Sequence, residues 1–140
     1  LLILIGSVIG TIWHNQQLQA ANLREQILNE RARQAIETVM SETALDQFTR
    51  QKDLRLEQRE FLDKMIQYYE ESARETDATE EERFRQQQAY HRMGRLNQIL
   101  GRSQVSEDAY RRAVALGTQL VKDFPARPEF QQKLADSYNA

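Results

Sequence analysis

The chain has 140 residues, 29% of them charged and 8% aromatic, with a formal charge of −2, two prolines, five glycines and no cysteine. That length supports one modest core rather than two independent ones, and the near-neutral balance argues against a nucleic-acid partner. The absence of cysteine excludes disulfides and thiolate metal sites, and the composition suits solvated helices better than sheets. Charge is segregated along the chain. Fourteen acidic residues face six basic ones between Glu37 and Glu82, whereas seven basic face three acidic between Tyr90 and Arg127.

The first thirteen residues, Leu1 to Trp13, are apolar or small. They fall short of the roughly 20 residues that a helix needs to span a bilayer. No basic segment precedes them and no small-residue cleavage site follows, so they do not read as a signal peptide. Leu1 to Ile12 is apolar all round rather than along one stripe, which points to the trailing part of a transmembrane helix with Trp13 at the headgroup level. Gly6 and Gly10 form a small-xxx-small motif that lets membrane helices pair closely, making a homodimer through this segment an expectation. His14 to Leu23 carries no Lys or Arg, as expected of a non-cytoplasmic flank.

From Gln16 to Thr43 neither Pro nor Gly interrupts a run of helix formers. Leu18, Ala21, Glu25, Leu28, Ala32, Ala35 and Val39 recur at alternating three- and four-residue steps. This seam fits either a short parallel coiled coil with one misfit at Glu25 or an amphipathic helix packed on its own domain. Ser41 to Lys52 is polar, and a break or bend is expected there. A helix from Leu54 to Arg74 would bury Leu54, Leu62, Met65, Ile66, Tyr69 and Ala73. After a connector at Thr76 to Ala78, Thr79-Glu80-Glu81-Glu82 spells a capping box. The helix it opens is expected to run to Leu100, where Gly101 supplies a left-handed stop. Ser103 would cap a further helix bearing Val105, Ala109, Tyr110, Ala113, Leu116, Leu120 and Phe124. Pro125 ends that helix, and Pro128 suits the first turn of a last one with Phe130, Leu134 and Tyr138 on one side, still running at Ala140.

Tyr90, Met93-Gly94, Gly101, Ser106, Tyr110 and Ala113 place large and small residues where two antiparallel helices must interlock. The pattern resembles a tetratricopeptide helix pair, with Asn97 as a departure where an aromatic is usual. The usual repeat of about 34 residues would end near Thr118, whereas Ala89-Tyr90 recurs only as Ser137-Tyr138, a period of 48. The fold class is therefore all-α: a truncated transmembrane helix (1–13), a long connector (14–52), and antiparallel tetratricopeptide-like pairs beginning a solenoid (53–140). In such pairs the first helix lines the concave groove. Gln88, His91, Arg95 and Gln98 are the candidate groove residues, suited to an extended acidic or C-terminal peptide.

A broader likeness rests on Phe61-Leu62, Lys64, Tyr68 to Glu71, Met93 to Leu96, Leu100 to Arg102, Ala109 to Ala113, Asp123 to Pro125 and Leu134 to Asn139. Together they resemble the C-terminal half of large membrane-anchored bacterial serine/threonine protein kinases. The resemblance implies a cytoplasmic kinase domain ahead of Leu1, using ATP and Mg, one span of the inner membrane, and an extracytoplasmic repeat region. The 140 residues themselves carry no Gly-rich phosphate loop, His-Arg-Asp or Asp-Phe-Gly motif. No catalytic, cofactor-binding or metal residue is assigned here, since His14 and His91 lack companions at ligand spacing. The expected function is non-catalytic protein recognition or sensing. A membrane-tethered scaffold without a kinase, or a coiled-coil spacer, are the alternatives.

Overall fold

The computed structural model describes residues 2–51, 53–74 and 79–140, with side chains from His14 onward apart from Glu42. It is all-helical: α1 (Leu2–Val39), α2 (Glu42–Thr49), α3 (Leu56–Arg74), α4 (Glu80–Ile99), α5 (Ser103–Asp123) and α6 (Pro128–Tyr138). No strand occurs among the described residues. The chain divides into two compact units, Leu1–Asp46 and Gln47–Ala140.

In the first unit α1 runs for 38 residues. No described helix is long and apolar enough to cross a membrane. Gly6 and Gly10 fall within α1, but what surrounds residues 1–13 lies outside the described side chains. The stripe that an amphipathic helix would bury is instead exposed, Leu18, Leu23 and Leu28 being 49–65% accessible. The polar face is held by short-range pairing. Glu30 accepts from Arg33 and Gln34, and the Thr38 hydroxyl donates to the Gln34 carbonyl. The expected break at Ser41 to Lys52 holds a short helix, Glu42 to Thr49, with non-helical residues before it at Met40-Ser41 and after it at 50–51 and 53–55. Met40 and Leu45 are fully buried.

The second unit begins with α3, which starts at Leu56 rather than Leu54 because Gln58 reaches back to the Arg55 N–H at 2.9 Å. Leu62, Ile66 and Tyr69 form its buried face, at the spacing of one helix side. The connector at Thr76 to Ala78 lies outside the described residues. The capping box forms as expected: the Thr79 hydroxyl accepts from the Glu82 N–H, and Glu82 accepts from the Thr79 N–H at 3.2 Å. That hydroxyl also donates to the Glu82 carboxylate at 2.6 Å, which holds the carboxyl below its ordinary range.

α4 is the centre of this unit, since α3, α5 and α6 all pack on it. The contacts give their directions. Arg83–Asp123, Gln87–Gly117, Tyr90–Arg112 and Gly94–Ser106 rise on α4 as they fall on α5, so the two are antiparallel. Phe84–Phe130 and His91–Ser137 rise together at a constant offset of 46, so α4 and α6 run parallel. Three expectations are corrected. The N-cap of α5 is Arg102, without a side-chain cap, and Ser103 is already helical. Val105 and Tyr138 are 51% and 66% exposed, because the faces turned inward are instead Ser106, Ala109, Ala113, Gly117 and Leu120 on α5 and Phe130 and Ser137 on α6. Finally, α6 ends at Tyr138, with Asn139 as its C-cap.

Candidate functional site

Small residues set how closely α4 and α5 approach. Gly94 is buried, and a Cβ placed on it would lie 2.8 Å from the Tyr110 ring, so that ring rests on bare backbone. One turn away, the buried Ser106 hydroxyl donates to the Gly94 carbonyl at 2.8 Å. Ala109 and Ala113, 5% and 0% exposed, continue the same contact line. Tyr90 closes its edge, with the Arg112 guanidinium 5.5 Å from its ring centre.

Gly101 ends α4 in a Schellman arrangement. At φ +75° it occupies the left-handed region, its N–H donates to the Gln98 carbonyl, and the Arg102 N–H donates to the Asn97 carbonyl at 2.8 Å. Arg102 is thereby placed for a two-pronged bond to the Asp63 carboxylate of α3, at 2.5 and 3.1 Å. That carboxylate raises the Arg102 guanidinium above its ordinary range. Asn97, the departure from the repeat pattern, is 2% exposed and satisfies its amide locally by donating to the Met93 carbonyl.

At the opposite end, Phe130 of α6 meets Phe84 and Phe124 with ring centres 4.8 and 6.1 Å away. Ion pairs surround this cluster: Arg83 with Asp123 at 2.6 Å, and Arg127 with Glu80 and Glu129. These are half-exposed pairs that contribute little individually. Their use is to fix where the α5–α6 turn meets α4.

An open groove of about 520 Å³ lies where α4 ends, α5 begins and α6 ends. Its walls carry the Tyr110 and Tyr138 rings and Val114. Gln98, Ser103 and Ser137 supply polar groups, and the Arg111–Glu107 ion pair stands at the rim. The volume is within the range of small-ligand or peptide-side-chain sites. Of the four residues that sequence assigns to a groove, only Gln98 lines this one. His91 lies against α6, its Nδ1 3.2 Å from the Ser137 Oγ and its ring edge-on to Tyr110. The Ser137 hydroxyl also lies 2.9 Å from the Lys133 carbonyl of its own helix. Gln88 and Arg95 are half-buried on α4.

Sequence reasoning missed Gln87, Gly117, Ser137 and Tyr138. The Ala113/Gly117 step, small residues four apart on one helix side, was the available signal. Nothing distinguishes Gln87 from its neighbours in Gln86-Gln87-Gln88. Among the described residues no group of His, Asp or Glu side chains converges as a metal site would require. No family model matches the chain, and neither a curated protein nor a solved structure resembles it at a significant level.

Proposed function

We propose that this chain is a protein-recognition module of tetratricopeptide-like helix pairs, whose ligand is an extended peptide held in the groove at the ends of α4, α5 and α6. The observation that carries it is the interlocked α4–α5 pair with α6 parallel to α4. That is the order of directions in which successive helix pairs stack and leave a groove. Tyrosine faces beside hydroxyls and a carboxamide suit a peptide, whose backbone needs donors and acceptors and whose side chains need apolar contact. Binding of a set of acidic peptides with free C-terminal carboxylates, followed by fluorescence anisotropy, tests the reading. Tyr138→Ala should weaken any ligand of this groove at least tenfold. If Arg95→Glu weakens it and Tyr138→Ala does not, the ligand lies along α4 instead. A set in which nothing bound responds to either variant sinks the proposal.

In the same reading, residues 1–13 are the end of a single inner-membrane span and the repeat region is extracytoplasmic. The parent is then a membrane-anchored serine/threonine kinase that senses through this region. That link rests on the sequence resemblance alone, and coding sequence ahead of Leu1 decides it. A Gly-rich phosphate loop and a catalytic Asp there support the kinase; a different domain favours a tethered scaffold.

The exposed stripe on α1 favours a second partner, another copy of the chain. Leu18, Ala21, Leu28, Ala32, Ala35 and Val39 keep heptad spacing, and Leu18, Leu28 and Val39 are 49–65% exposed. Such a seam is covered when two parallel copies pair. Sedimentation of the chain in detergent should show a dimer that Leu18→Lys with Leu28→Lys converts to monomer. A dimer indifferent to that double change would exclude the seam.

A further inference from the structure

The α6 interface is asymmetric along its length. Its first turn is anchored by Phe130, 1% exposed in the cluster of three phenylalanines. Beyond that anchor α6 turns in Leu134, which is half-buried, and Ser137, which is small and polar. Gln87 of α4, 1% exposed, points its amide at Gly117 of α5 and at the neighbourhood of Leu134 of α6. A Cβ on Gly117 would stand 2.7 Å from the Gln87 Nε2 and 3.1 Å from the Leu134 Cδ1, so glycine is what admits both. Neither the nitrogen nor the oxygen of that amide has a hydrogen-bond partner in the protein. One turn further, α6 is held by the His91–Ser137 bond at 3.2 Å. A buried amide without partners opposes closure, because separation of the helices would return it to water. An eleven-residue helix supplies little stability of its own to resist that.

We propose that α6 is a strap that opens from its C-terminal end, pivoting on Phe130, and that the uncompensated Gln87 amide sets how often it opens. Opening hydrates Gln87 and frees His91 from Ser137. It also carries Ser137 and Tyr138 away from Tyr110, so that the groove between them lengthens along α4 towards Gln87. The proposal concerns α6 itself and stands whether or not the groove takes a peptide.

Hydrogen–deuterium exchange on the full chain, followed against denaturant concentration, tests it. In water the amides of Leu134 to Tyr138 should exchange at least tenfold faster than those of Ala109 to Leu116. Their rates should depend only weakly on low denaturant, as a local opening exposes little surface. Gln87→Met, close in length and shape but without the amide, should slow the α6 amides at least fivefold. Exchange of α5 and α6 at one common rate with one steep denaturant dependence would overturn the strap. So would α6 amides that keep their wild-type rates in Gln87→Met. Should that variant fail to fold, the wild-type denaturant dependence decides alone.

Discussion

Phe130→Ala is expected to release α6 and to cost about 3–5 kcal/mol of its docking, the range for removing a buried phenylalanine. The ring is 1% exposed and contacts Phe84 of α4 and Phe124 at the end of α5, with the Arg127 guanidinium 5.0 Å from its centre. No neighbour is placed to refill the space, because Phe84 and Phe124 are held by their own helices and by Arg83, which sits over Phe124. The rest of α6 offers a half-buried Leu134 and a buried Ser137 as its remaining inward contacts. Losing the anchor should therefore exceed what holds the helix down. Circular dichroism should show a loss of helix no larger than α6's eleven residues. Hydrogen exchange should show 129–138 unprotected while Ala89 to Leu96 keeps its protection. Cooperative loss of the whole second unit at the same denaturant midpoint would show instead that α6 is integral to its core.

Gly94→Ala is the second change with a large effect, and its sign reverses with Tyr110. A methyl group favours an exposed helix position over glycine by about 1 kcal/mol. Here it would enter within 2.8–2.9 Å of three Tyr110 ring atoms. Those atoms are the root and near edge of the ring rather than a flexible tip, so α5 itself must shift. Overpacking of this kind costs about 1–3 kcal/mol. The Ser106–Gly94 bond at 2.8 Å resists the same shift. The net expectation is a loss of about 1–2 kcal/mol, with overpacking outweighing helix propensity. In a Tyr110→Ala background the clash is gone, and adding Gly94→Ala should then be neutral or stabilising. A double-mutant cycle by urea unfolding measures the coupling. Additive effects would mean that the ring does not rest on Gly94.

The contrast between these two sites shows what was legible. Gly94, Tyr110 and Ala113 were identifiable from spacing because close helix approach demands small residues at fixed intervals, and side-chain size is written in the sequence. The Thr79–Glu82 capping box and the Gly101 stop were legible for a related reason. Both depend on chemistry within four residues. Leu62, Ile66 and Tyr69 followed from helical periodicity, whereas Leu54, Met65 and Ala73, expected on the same face, are only half-buried. Exposure was less legible. Tyr138 and Val105 look like core by periodicity, yet both are more than half exposed, because other residues of α5 and α6 make the contacts with α4.

By itself, then, the sequence determined an all-helical chain, most of its helix boundaries and the small-residue line where α4 and α5 meet. It did so because capping, periodicity and side-chain volume act over one or two turns. Only the tertiary structure decided that α6 lies parallel to α4 and takes His91 through Ser137. It alone paired Arg102 with Asp63 across 39 residues, and buried the Gln87 amide against Gly117. Those contacts depend on which helix faces come to lie together across long separations, and a polar residue in a run of three glutamines carries no local mark of which one will be enclosed.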